Sequence, residues 1–328
     1  MPKVTALTPK SAPPGGARFE AAVVEAAWLY YHEGLNQNEI ADRMQISRAS
    51  VVNYLSEARV RGWVRVYLDS EVFLSNRLSE DLCKAYDLTE ALVVPDDPVD
   101  PGAEFVRVAR AASDWLPRLL SPGDRLGVSW GETIYQMAQQ MAPNPVEDLT
   151  VVQLLGSRPA ALGFAAEACT SMIAQKLGGD CITLHVPLLL SSKTVRDVLC
   201  DEPVVAGQLA ALATCNKTVL ACGKCDAEAH IVKTGIVSAD SLPHYLDKGA
   251  VGVICGRLID AQGGPVPAAM EERMIGVSLE GMRGKDMSLL VAAGKERALP
   301  ARAAILGGYV THLATSAAIA QELLDLAA

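Results

Sequence analysis

From about residue 90 to residue 314 the chain alternates short apolar runs with stretches of helical periodicity, and this alternation leaves few folds open to it. The apolar runs fall at 91–94, 125–129, 149–155, 181–186, 217–222, 251–255, 287–292 and 309–314. Several are apolar at successive positions, the pattern of strands covered on both faces. Helical stretches separate them, at about 103–120, from Glu132 onward, at 164–177 and at 316–326. Strands alternating with helices predict a mainly parallel, doubly wound, Rossmann-like α/β sheet. Half of the 328 residues are hydrophobic, enough to line both faces of such a sheet. No apolar run reaches the roughly 18 residues of a membrane span. Residues 1–17, rich in proline and glycine, carry no apolar signal core and read as a disordered tail, so a cytoplasmic location is expected.

Residues 18–69 read as a small all-α domain. Val23, Ala26, Ala27 and Tyr30 recur at helical spacing, and Gly34 can close that helix. Asn36 followed by Glu39 is the spacing of a capping box, with Ile40, Ala41 and Met44 as the inner face of a second short helix. Ser47 can cap a third helix that turns Val51, Val52 and Leu55 inward and ends at Gly62. Helix, short helix, tight turn, helix is the helix-turn-helix plan, whose third helix enters the major groove of DNA. The residues offered there are Ser47, Arg48, Ala49, Ser50, Asn53 and Tyr54. Arginine can bond guanine O6 and N7 together, and asparagine adenine N6 and N7. Gln37, Arg59 and Arg61 are placed to clamp phosphates. Trp63–Leu68 alternates and reads as a small wing. A three-helix protein-interaction module with a solvated arginine face is the alternative.

Charge supports a division of labour. Residues 1–65 carry 8 basic and 6 acidic side chains, and the remainder 21 basic and 32 acidic. A mildly basic front on an acidic body suits a DNA reader joined to a regulatory domain (70–328). The linking helix around 71–86 carries Leu74, Leu78 and Leu82, a stripe that can pack on its own domain or on a sister chain. The eight cysteines are scattered through apolar segments and read as buried thiols.

Open parallel sheets bind ligands at the carboxyl ends of their strands. Gly127-Val128-Ser129-Trp130-Gly131-Glu132-Thr133 is a strand running through a small-residue turn into a helix. Its backbone N–H groups, helix dipole and hydroxyls can hold a phosphate or sugar hydroxyls. It is neither a P-loop nor a dinucleotide fingerprint. Three further strand-end loops are Leu155–Pro159, Ala221–Lys224 and Ala292–Arg297. In the last, Lys295 or Arg297 can meet an anion.

With these segments in view, the chain resembles the SorC family of sugar-responsive transcriptional regulators from about residue 20 onward. The resemblance rests on Ala27–Gly34 with its Trp-Leu-Tyr-Tyr core, on Gln37 with Glu39-Ile40-Ala41, on Ser47–Val51 and on Gly127–Gly131. Lys248–Gly252, Gly307–Val310 and Ala317–Leu324 extend it. The resemblance implies an effector domain similar to the glucosamine-6-phosphate deaminase and ribose-5-phosphate isomerase fold. It also implies a homodimer or homotetramer, and a two-fold dimer would set two third helices in successive major grooves, so the double-stranded DNA operator is expected to be an inverted repeat. The effector would be a sugar, sugar phosphate or polyol, and no cofactor or metal is implied. Ser129, Trp130, Gly131, Glu132 and Thr133 would then hold the effector, with Gly156, Ser157, Gly223, Asp260 and Lys295 bordering the pocket. The chain departs from the family where Val253 follows Gly252 and where Thr315-Ser316 precedes the last helix, positions at which many members carry aspartate.

Two other readings stay open. An isomerase or deaminase needs a positioned acid or base, and Glu132, Asp260 and His185 qualify by type. A redox or metal sensor is suggested by Cys222 and Cys225 with His230 nearby, although zinc normally asks for four ligands.

Overall fold

The computed structural model describes residues 14–64, 69, 71–74, 76–97, 99–158 and 164–327. The chain divides into two compact units, one ending at Leu68 and one beginning at Asp69.

The first unit holds α1 (Pro14–Tyr31), α2 (Gln37–Met44) and α3 (Arg48–Val60). The helix α1 begins at Pro14, inside the segment expected to be a tail. Proline is tolerated in a first helical turn because its missing N–H would find no partner there. Residues 1–13 lie outside the described residues. Asn36 Oδ1 accepts from the backbone of Asn38 and Glu39 at 2.9 and 3.1 Å, and Glu39 returns the contact to Asn36 N–H at 2.7 Å. The capping box is therefore complete. Gln45 takes the left-handed conformation (φ 56) between α2 and α3, and Ile46 packs beneath it. Ser47 caps α3 by accepting from Ser50 N–H at 3.0 Å. The core is Val23, Ala26, Ala27, Leu29, Ile40, Ala41, Val51, Leu55 and Ala58. Two expected core residues are outside it: Tyr30 and Val52 are exposed. The buried stripes run 23–26–29 and 51–55–58, so Leu29 and Ala58 take those places. Residues 65–68 of the expected wing lie outside the described residues.

The second unit contains β1 (Glu90–Val94), β2 (Arg125–Val128), β3 (Thr150–Gln153), β4 (Asp180–Ile182), β5 (Lys217–Leu220), β6 (Cys222–Lys224), β7 (Gly252–Ile254), β8 (Arg257–Ile259), β9 (Met287–Val291) and β10 (His312–Ser316). Seven strands form one sheet in the order β1-β10-β9-β5-β2-β3-β4, with every neighbour parallel. The period-two geometry of a strand sends successive side chains to opposite faces. Leu92, Val94, Leu126, Val128, Leu289 and Val291 enter one core. There they meet α6 (Pro101–Trp115), α7 (Glu132–Gln140) and α8 (Ala166–Leu177), with Trp115 fully buried among them. Ala91, Val93, Leu290 and Leu313 enter the other core. After α9 (Lys193–Asp201), α10 (Pro203–Ala213), α11 (His230–Lys233), α12 (Leu242–Asp247) and α13 (Leu279–Met282), helices α14 (Ala298–Leu306) and α15 (Ala317–Ala327) contribute to that second core.

The linking segment is two helices, α4 (Glu71–Leu74) and α5 (Arg77–Tyr86). Asn76 separates them, capping α5 through Ser79 N–H and donating to the carbonyls of Phe73 and Val93. Leu82 is buried, and Leu74 and Leu78 pack against the same domain's cores. The leucine stripe is thus used within its own chain.

The run at 251–255 departs from expectation. It supplies β7 of a separate three-stranded antiparallel sheet, β6-β7-β8. Cys255 and Gly256 both have positive φ (47 and 73), the backbone of a tight two-residue hairpin. An apolar run read alone carries no sign of that turn.

At the amino ends of the strands the contacts are structural. Lys217 and Asp124 form a largely buried pair at 2.7 Å, and Asn216 bridges Asp124 and Asp286. Burial would raise the Asp124 carboxyl, but Lys217, Asn216 and the Ser121 N–H together hold it below its ordinary range. The carboxyl ends are different. From β2 the chain moves outward through β3 to β4, then returns to place β5 on the other side of β2. Loops leaving β2 and β5 diverge, and a crevice opens between them.

Candidate functional site

A cavity of about 160 Å³ occupies that crevice. It is smaller than the roughly 300–1,000 Å³ of drug-sized sites, so it suits a metabolite of a few carbons. Its floor is the turn from β2 into α7: Trp130, Gly131, Glu132 and Thr133. Gly131 has φ +111, a conformation that L side chains avoid, and nothing fills the space where a side chain would begin. No side chain caps α7, so its first N–H groups stay available at the cavity. The small sheet supplies another wall through Cys222, Gly223, Lys224, Val253, Cys255 and Gly256. Phe164, His230 and Arg297 complete the polar and aromatic lining.

The ionisable side chains of the lining are mixed: Glu132 is acidic, Lys224 and Arg297 are basic, and His230 stands beside them. Arg158 is half-buried outside the lining, where Gly235 leaves room for its guanidinium. Burial pushes its pKa down. Its charge is felt at His230, whose pKa burial also lowers, against the opposing pull of Glu132. Trp130 and His230 meet edge to face at 5.2 Å, forming an aromatic wall. Lys224 is paired with Asp226 at 2.8 Å. Arg297 donates to the Ala293 carbonyl and lies over the Phe105 ring at 5.9 Å.

The expected effector residues divide into two groups. Trp130, Gly131, Glu132, Thr133 and Gly223 line the cavity together. Ser129 is buried beneath it, and its hydroxyl accepts from Ala221 N–H at 3.2 Å, tying the ends of β2 and β5 together. Gly156 and Ser157 are outside the lining: a Cβ on Gly156 would meet the backbone of Leu188 at 2.8 Å, and Ser157 donates to the Leu184 carbonyl. They serve close packing of the chain. Asp260 is also outside, accepting from Gln262 and Gly264 N–H within its own turn. Lys295 is exposed, and Arg297, two residues on, takes the lining position. Sequence reasoning passed over His230, which lines the cavity, and Arg158, whose charge acts on it. Arg158 sat within a strand-end loop already singled out, but no local signal marked His230.

The other candidate chemistries are not assembled as expected. His185 bonds Thr183 at 2.9 Å, away from Glu132 and Asp260 in their separate settings. Among the described residues no three His, Cys, Asp or Glu side chains converge as a metal site. Burial pushes the thiols of Cys222 and Cys255 up to about 12, and raises Cys225.

In the first unit, Arg48, Ala49 and Asn53 are exposed along α3. Arg48 Nε donates to Gln37 Oε1 at 3.3 Å, bringing the two residues into one polar face. Ser47 and Ser50 share a hydroxyl contact of 2.9 Å at the helix start. Tyr54 is half-buried, edge to face with Phe19 at 5.4 Å. Arg59 is exposed and donates to the Leu55 carbonyl. Arg61 differs from expectation: it is ion-paired with Glu57 at 2.6 Å and Glu20 at 3.1 Å and stacked over Trp63, so its charge is spent inside the unit.

Residues 70–325 match a family model described as "Putative sugar-binding domain". The chain is 36% identical over 307 residues to the transcriptional regulator YjhU of Escherichia coli K12, covering 92% of this chain and 94% of that one. The chain belongs to the SorC-type family of sugar-binding transcriptional regulators. It is also 30% identical over 292 residues to the deoxyribonucleoside regulator of Bacillus subtilis, covering 88% and 93% of the two chains. The full-length sorbitol operon regulator SorC of Klebsiella pneumoniae has the same fold, with a TM-score of 0.75 at 21% identity, covering 96% of this chain and 100% of that one. The residues that line the cavity all fall within the stretch the family model matches.

Proposed function

We propose that this regulator controls a carbohydrate-utilisation operon by releasing or engaging an inverted-repeat operator when a small sugar, sugar phosphate or polyol fills the cavity between β2 and β5. The observation that carries the reading is the uncapped amino end of α7 facing that cavity, with the Arg297 guanidinium in its lining. Backbone N–H groups and the Arg297 guanidinium select oxygen-rich ligands. Gly131, Glu132, Thr133, His230 and Arg297 make the polar contacts, and Trp130 covers an apolar sugar face. Arg48 and Asn53 read bases, while Gln37 and Arg59 hold phosphates. The protein acts as a cytoplasmic homo-oligomer and binds its effector without turnover. Control follows from differential affinity: the effector binds one arrangement of the oligomer better than the other.

The test is a thermal-shift screen of sugars, polyols and their phosphates, followed by titration of hits against an operator selected from random duplex. A hit that raises the melting temperature, changes operator affinity and is recovered intact is the expected result. Consumption of the hit would return the isomerase reading, and a screen with no hit would remove the sugar-responsive one.

A further inference from the structure

Glu104 lies in the first turn of α6, is almost wholly buried, and is not part of the cavity. Its Oε1 accepts the Ser316 hydroxyl at 2.6 Å and the Gly294 N–H at 3.3 Å. Burying a carboxylate is costly unless donors meet it, so the site is held because both donors are present. Those donors belong to different elements. Gly294 (φ +93) opens the turn that carries Arg297 into the cavity lining. Ser316 ends β10 and begins α15, where its hydroxyl also accepts from Ile319 N–H. The next residue of α6, Phe105, lies under the Arg297 guanidinium. Farther along, α15 is bonded to α5, with the Tyr86 hydroxyl donating to the Leu323 carbonyl at 2.5 Å.

We infer that Glu104 is a positioning residue that holds the 293–297 cavity turn and the first turn of α15 as one unit. A ligand that meets Arg297 then acts on α15, and through it on the linking helix α5, with this carboxylate as the side-chain link between the turn and the helix start. The consequence for effector control rests on the function proposed above. The mechanical claim does not, because it can be read without any ligand.

Hydrogen exchange on the full chain tests it. In Glu104→Ala, peptides covering 292–298 and 316–320 are expected to exchange at least ten-fold faster than in the wild type. A peptide over β3 should be unchanged, and Glu104→Gln, whose amide oxygen still accepts both donors, should restore wild-type exchange. Ser316→Ala gives a second reading if Glu104→Ala fails to fold: exchange must rise at 292–298, a segment to which Ser316 itself makes no hydrogen bond. Faster exchange confined to one segment, a uniform rise across the domain, or no rise in either variant would overturn the inference. A sugar screen without hits would instead remove the proposed function while leaving the exchange result standing.

Discussion

At the scale of single residues, this protein uses burial to keep groups neutral and partners to keep groups charged. His312 is the clearest case of the first. It is buried at the start of β10, bonded through Nδ1 to the Thr311 hydroxyl at 2.8 Å and tilted against Trp115 at 5.8 Å. Burial, reinforced by Lys217, pushes its pKa down to about 4. Unfolding restores a value near 6.5. Below that pH the unfolded chain takes up a proton the folded chain refuses, so stability falls as pH drops from about 6.5 toward 4. His312→Asn keeps the side-chain contact to Thr311 and removes the titration. Urea unfolding at pH 7 and pH 5 should show that the variant loses about 2 kcal/mol less than the wild type between the two values. Equal losses in both proteins would show that His312 is protonated in the folded state. The cavity residues that escaped sequence reasoning escaped for a related reason. Nothing near His230 in the chain announces that it meets Trp130 from a distant element, and Asp260 looked like a pocket acid only until its own turn claimed both its hydrogen bonds.

At the scale of elements, the most legible features were those whose chemistry is local. The capping box at Asn36 and Glu39, the Ser47 cap and the strand-to-helix turn at Gly131 are written in adjacent residues, and the structure contains each. What the sequence left ambiguous depends on tertiary partners: Tyr30 and Leu29 compete for the same helix, and packing chose Leu29. The antiparallel β6-β7-β8 sheet went unread because its hairpin turn, Cys255-Gly256, lacks the usual Asn-Gly or Asp-Gly signal. Helix α3 carries the prediction at this scale. Arg48 is exposed at its amino end and bonded to Gln37 across the turn, and the proposed function has it read a base there. Arg48→Ala should weaken binding to a selected operator by roughly ten- to a hundred-fold, about 1–3 kcal/mol, and relax preference at one base pair of each half-site. Unchanged footprints and unchanged base preference would remove Arg48 from the readout.

At the scale of the whole molecule, the order of the seven-stranded sheet decides where a ligand can sit. Because β5 returns to the far side of β2, the loops leaving these two strands run apart, and the cavity lies between them. The alternation of strands and helices was enough to expect such a crevice, and the strand-end loops marked three of its walls. Order within the sheet was not legible, since parallel strands of similar apolarity carry no label for their neighbours. The central claim is that filling this crevice changes how the chain grips DNA. The direct measurement is operator affinity by fluorescence anisotropy, with and without a saturating thermal-shift hit, in the wild type and in Gly223→Leu. Gly223 lines the cavity in β6, and a Cβ there meets only Val253 at 3.8 Å, so leucine adds bulk to the lining without backbone conflict. The expected result is an effector-dependent change of ten-fold or more in the wild type, lost in Gly223→Leu, with ligand-free operator affinity the same in both. An effector response that survives in Gly223→Leu, or its absence from a wild type that binds both ligand and operator, would contradict the account.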